Sequence, residues 1–113
     1  MKGPWNTKPK GGSMNIIGSF FSAIFLFNAI PHLVQGICGR RHMTPFSPES
    51  SAAVNVIWGW INLVIGALLA HISYSHEWSL GSCIAFCVGG FSVSIYLAIF
   101  WSNPDARLPW HRK

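Results

Sequence analysis

Charge is what this chain has least of. Only 10% of its 113 residues are Asp, Glu, Lys or Arg, and just three are acidic. A soluble domain carries about 25% charged residues, so an ordinary water-covered surface is excluded. Residues 11–39, 50–76 and 78–104 hold no charged side chain at all. Each stretch exceeds the roughly 20 residues needed to cross a bilayer core of about 30 Å. Cysteine is also scarce: Cys38, Cys83 and Cys87 make an odd count without paired spacing. That argues against a disulfide framework and leaves packing as small apolar residues. No glycine-rich phosphate loop follows a strand, and no nucleic-acid motif occurs. Nucleophilic catalysis lacks a Cys–His or Ser–His pairing at matching depth.

Half of the residues are hydrophobic, and the net charge is +5. The basic residues, Lys2, Lys8, Lys10, Arg40, Arg41, Arg107, Arg112 and Lys113, lie between and outside the apolar runs. That placement fits membrane topology and lipid headgroups, not a nucleic-acid footprint. The reading is an all-α protein with three transmembrane helices, at about 15–37, 51–73 and 79–101, in an up-down-up bundle. Residues 1–13 read as a mobile tail, 14–103 as the membrane domain and 104–113 as a basic C-terminal tail. Met14 offers a second start. Pro31 sits where a signal peptide would be cleaved, which argues against a cleaved signal. In the first loop, Thr44, Pro45 and Phe46 predict a turn folding back on the membrane surface. Pro48, Glu49 and Ser50 predict the start of the second helix. Tyr74, His76, Glu77 and Trp78 predict an interfacial turn, with Trp78 and Trp101 as aromatic belt residues at the two ends of the third helix. Asn103, Pro104 and Asp105 stop that helix.

Each apolar run carries one small and polar stripe. At 100° per residue, Asn28, His32, Gln35 and Gly39 share a face of the first helix. Asn55, Gly59, Asn62 and Gly66 repeat that spacing in the second, extended by Ser51, Ala70 and Ser73. Cys83, Cys87, Gly90 and Ser94 do so in the third. Trp60 falls opposite the second stripe and reads as lipid-facing. Counting rise from the first loop predicts two polar rungs, Asn28 with Asn62 and His32 with Asn55. Gly36, Gly59, Gly66 and Gly90 read as helix-packing residues. Lipid offers no hydrophobic drive for helix association, so small residues and interhelical hydrogen bonds, at about 0.6–2 kcal/mol each, must supply it. Pro31 also leaves the Phe27 carbonyl without its usual donor.

The same residues admit chemistry. His32 is the ionisable group well inside a span, and such groups often mark ion or proton paths. A proton-coupled site usually adds a membrane carboxylate, which the spans lack. Haem between His32 and His71 requires equal depth and facing rings. These two histidines lie toward opposite ends of the bundle, and only a dimer pairing His32 with its copy preserves the idea. Cys83 and Cys87 at i, i+4, or Cys38 with His42, fall short of a metal ligand set. No catalytic residue, cofactor or metal is therefore expected, and the protein reads as a non-enzyme.

The segments PHLVQGICG, TPF and SSAAVNVIWGWINLVIG resemble an uncharacterised family of small bacterial multi-span integral membrane proteins. Its members carry a Pro-His…Gly…Gly segment, a Thr-Pro-Phe loop and an Asn-Val-x-Trp-Gly…Asn-Leu…Gly helix. The resemblance covers about Asn28 to Gly66. It implies a multi-span membrane protein and adds no mechanism.

The leading expectation is a protein of the cytoplasmic (inner) membrane that acts through helix contacts, as a homo-oligomer or as an accessory subunit of a larger membrane complex. The positive-inside rule puts the first loop and the C-terminus in the cytoplasm. The alternative is a small transporter or channel with a polar path lined by Asn28, His32, Gln35, Asn55 and Asn62. A third reading is a redox or quinone-associated subunit using His32.

Overall fold

A computed structural model of the chain describes residues 12–74 and 79–111. Three long helices dominate it: α1 (Gly12–Ile37), α2 (Ala52–Tyr74) and α3 (Leu80–Ser102). Each contains a 23-residue stretch apolar enough to cross a membrane. The predicted turn at residues 74–78 lies mostly outside the described residues, and so do most of the predicted N-terminal tail and Trp78. α1 begins at Gly12, a little earlier than the sequence predicts, and runs unbroken through Pro31.

The helix ends follow local chemistry. α1 closes on Gly39 at φ +76, where Arg40 N–H bonds the Gln35 carbonyl (2.8 Å) and Gly39 N–H bonds the Gly36 carbonyl (3.0 Å). These two bonds satisfy carbonyls that a helix end leaves open, and glycine suits the left-handed residue between them. Gly39 is therefore a cap outside the helix, which corrects its assignment to the polar stripe. Ser51 Oγ accepts from Val54 N–H at the start of α2 (3.2 Å). Ser79 does the same for Ser82 N–H at the start of α3 (3.1 Å).

An all-α description needs one further correction. The first loop folds as an antiparallel hairpin of β1 (His42–Thr44) and β2 (Ser47–Ser50), with an irregularity in its register. Thr44 Oγ1 organises the turn: it accepts from Phe46 N–H (3.2 Å) and shares a 2.6 Å hydrogen bond with Ser50 Oγ. Pro48, Glu49 and Ser50 lie in β2, not at the start of the second helix, which begins at Ala52; Pro48 is tolerated because a two-stranded hairpin has only edge strands. The Phe46 ring meets Trp58 of α2 edge-on, with centroids 5.5 Å apart.

α1 lies in the middle, with α2 on one flank and α3 on the other; α2 and α3 barely touch each other. Along the α1–α2 seam, Gly36 meets Ala52 and Val56, Gly59 meets Leu33, and Gly66 meets Leu26. The late part of α1 thus pairs with the early part of α2. Along the α1–α3 seam, Gly81 meets Ile16, Gly89 meets Phe20 and Gly90 meets Phe27. A Cβ on Gly59 or Gly66 would come within 2.7 or 2.6 Å of a leucine Cγ, so these close approaches demand glycine.

The interior is small and polar. Its buried residues include Ala23, Ala29, Ser19, Ser22, Asn55, Asn62, Ser73 and Ser82, while most of the large apolar side chains face outward. Trp60 is on the outside, opposite the buried row Asn55, Gly59, Asn62 and Gly66. The third stripe is corrected. α3 buries Ser82, Gly89 and Gly90, whereas Cys83, Cys87 and Ser94 are exposed. α3 has two small faces, and it turns the Ser82–Gly89 face toward α1. All three cysteines are free and exposed, so none packs in the core.

Candidate functional site

The polar residues converge where the late part of α1, the early part of α2 and the hairpin meet. Both expected rungs are present. Asn28 Nδ2 donates to Asn62 Oδ1 at 3.2 Å, and His32 Nδ1 lies 2.8 Å from Asn55 Oδ1. Asn62 spends its own N–H on the Trp58 carbonyl (2.9 Å). Deeper along the same seam, Ser22 Oγ donates to the Gly66 carbonyl (2.7 Å).

Asn55 is the hub. It is fully buried, and its Nδ2 faces three carbonyls: His42 at 2.9 Å, Ser50 at 3.1 Å and Ser51 at 3.0 Å. Those acceptors fix the amide orientation, so Oδ1 must be the atom turned to His32. A carbonyl oxygen accepts only, so His32 Nδ1 is the donor. Nε2 is left as the ring's other nitrogen, with no hydrogen-bond partner among the described residues. Gln35, the remaining stripe residue, sits one turn on and accepts from Arg40 Nε instead of joining the rungs. The structure therefore brings together Asn28, His32, Asn55 and Asn62 and leaves Gln35 at the helix end.

Beside this seam is a cavity of about 220 Å³. Asn28 and His32 supply its polar edge, and Trp58, Tyr96, Phe100, Trp101 and Trp110 supply aromatic walls. The hairpin contributes Met43, Thr44 and Pro45. The C-terminal segment closes over it: Trp110 Nε1 donates to the Pro45 carbonyl at 2.8 Å, and His111 Nε2 lies 3.3 Å from the same oxygen. Ala106 is buried, and a short 3-10 turn spans Pro109–His111. Within the basic C-terminal tail, residues 104–111 thus form a strap on the hairpin.

Next to the cavity, the His42 ring lies between His32, which it meets edge-on (ring centroids 5.2 Å apart), and Trp101, which it meets at a tilt (4.2 Å). Burial, helped by the nearby His32, lowers the His42 pKa to about 4. His42 Nε2 and Trp101 Nε1 are both buried without a hydrogen-bond partner. His71 is exposed on α2, well along the helix from the hub. No group of three His, Cys, Asp or Glu side chains suited to a metal ion forms among the described residues.

Sequence reading missed Ser22, Trp58, Tyr96 and Trp110, and it weighed His42 only as a metal ligand with Cys38 and Trp101 only as a belt residue. Ser22 lies off the Asn28–His32 stripe, on a neighbouring face of α1 that also turns to α2. The others depend on the hairpin and the strap, whose folding back no periodicity announces. No protein-family model matches the chain, and no curated protein or solved structure is similar to it.

Proposed function

We propose that the chain is an integral membrane protein with three spans, up-down-up, that acts through helix contacts, as a homo-oligomer or as an accessory subunit of a larger membrane complex. The first loop and the C-terminal strap lie together on the cytoplasmic side of an inner membrane, following the charges at Arg40, Arg41 and Arg107. The observation that carries the reading is the outer surface of α3. Only 11% of its most apolar window is buried, yet it presents the small residues Cys83, Cys87 and Ser94 outward. Small residues on a helix surface suit close approach of another helix in lipid.

The internal polar residues support the same reading over a transport path. Asn55, Asn62 and His32 hydrogen-bond across the α1–α2 seam, and Gln35 is engaged by Arg40. Groups engaged in this way hold helices together.

The test is oxidative cross-linking in native membranes, followed by native mass spectrometry after gentle extraction. Cross-links through Cys83 or Cys87, to a second copy or to a foreign subunit, are expected, and Ser94→Leu should reduce them without unfolding the chain. A strictly monomeric protein with no cross-linked partner would sink the proposal.

A further inference from the structure

We infer that the cavity bounded by Asn28, His32, Trp58 and Trp101 binds the hydroxylated ring of a lipid-soluble quinol. The inference rests on this cavity and is independent of how the outer face of α3 is used.

Three observations lead to it. The first is the shape and chemistry of the walls. Trp58, Phe100, Trp101 and Pro31 all line the space, and flat apolar side chains of this kind suit a flat ring. A volume of about 220 Å³ accommodates one substituted ring.

The second is the polarity that the protein leaves unused. His32 is 94% buried by its 6% exposure, and its Nδ1–H is committed to Asn55. In that tautomer Nε2 is a bare acceptor. One helical turn away, Asn28 uses a single N–H on Asn62, so its second N–H and its Oδ1 have no partner among the described residues. Residues at i and i+4 are neighbours on a helix surface. One hydroxyl between them serves both: its O–H donates to His32 Nε2 and its oxygen accepts from Asn28 Nδ2. Unmet polar groups are costly where lipid replaces water, so a ligand of this kind is favoured.

The third is access. The cavity lies near one end of the apolar spans, and Tyr96 on its rim is 62% exposed. An apolar tail on the ring can leave beside α3 into lipid while the ring stays inside. A quinone has no hydroxyl to donate to Nε2, so the reduced form binds more tightly than the oxidised form.

The experiment uses the full chain in phosphatidylcholine nanodiscs. A benzoquinol with one prenyl unit, kept reduced, is titrated while tryptophan fluorescence is followed. The dimethyl ether of the same ring reports simple partition into lipid. Saturable quenching by the quinol and not by the ether is expected. His32→Asn keeps a donor near the Nδ1 position for Asn55 but removes Nε2. It should weaken binding about ten-fold, the equivalent of one hydrogen bond, with circular dichroism unchanged. Leu97→Phe narrows the cavity without touching a hydrogen bond and should weaken binding too. Equal quenching by quinol and ether overturns the inference. So does an unchanged affinity in Leu97→Phe, or in a folded His32→Asn.

Discussion

The two seams of α1 are built by different rules. Toward α2 the helix offers Ser22, Asn28 and His32, and each forms a hydrogen bond across the seam. Toward α3 it offers Phe20 and Phe27, which rest on Gly89 and Gly90, with Phe27 and Phe86 in edge contact at 6.4 Å. The first seam is specified by donors and acceptors, the second by shape. In lipid both devices work, because helices there gain nothing from hiding apolar surface. They differ in what they tolerate. A hydrogen-bonded seam fixes register, since slipping one residue strands every partner. A ring-on-glycine seam holds only while the backbones stay close.

The comparison breaks most decisively at Asn55. Asn55→Leu removes the acceptor for His32 and the donor to the His42, Ser50 and Ser51 carbonyls. The Ser51 carbonyl keeps the Asn55 backbone N–H, but the bonds to His32 and to the Ser50 carbonyl are buried, and stranding those groups costs about 2–3 kcal/mol. The expected outcome is loss of the hairpin's dock together with the upper half of the α1–α2 seam. Detergent-titration unfolding in mixed micelles measures it. A stability within a few tenths of a kcal/mol of the parent would mean that the hub is decorative.

The other seam is tested at Gly89. A Cβ there would stand 2.5 Å from the Phe20 carbonyl oxygen, and backbone cannot swing aside as a side chain can. Gly89→Ala should loosen α3 at a cost of about 1–2 kcal/mol while leaving the α1–α2 hydrogen bonds in place. In a background with the three native cysteines replaced by serine, a Ser82→Cys probe reads the effect. Ser82 is fully buried, so its labelling rate should rise sharply when α3 loosens. No change in rate would show that the α1–α3 seam does not depend on close approach.

Much of the first seam was legible in the sequence, and little of the second. Asn28, His32, Asn55 and Asn62 stand out because polar residues are rare in apolar runs, and helical rise alone sets their depths. That arithmetic pairs them correctly. In α3 the small residues occupy two faces. Periodicity cannot choose between the face of Cys83 and Cys87 and the face of Ser82 and Gly89. Phe20 and Phe27 made the choice, by needing flat, side-chain-free surface opposite them. Gly39 was misplaced for a related reason: its spacing continued the stripe, yet its backbone served as a cap. The turn at Thr44, Pro45 and Phe46 was legible from its residue types, though the strands flanking it were not, and the strap was illegible because it depends on single bonds between distant segments, such as Trp110 to Pro45.

The smallest expected effect joins the two seams, through His42. Its ring lies between His32 of the polar seam and Trp101 at the end of α3. Its pKa falls from the ordinary 6.5 to about 4, chiefly because burial disfavours the charged form and secondarily because His32 is near. The unfolded chain therefore takes up a proton near pH 6.5, whereas the folded protein resists doing so until about pH 4. Between those values the unfolded state binds more protons, so stability rises with pH. His42 thus adds to stability fully above pH 6.5, and its contribution is lost as the pH falls toward 4. Thermal melts followed by tryptophan fluorescence at pH 7.5, 6.0 and 4.5 should show midpoints declining in that order. His42→Gln, which cannot be protonated there, should flatten the decline. An equal decline in parent and variant would place the acid sensitivity elsewhere, and His42 would then be a spacer between the seams with no part in coupling them to pH.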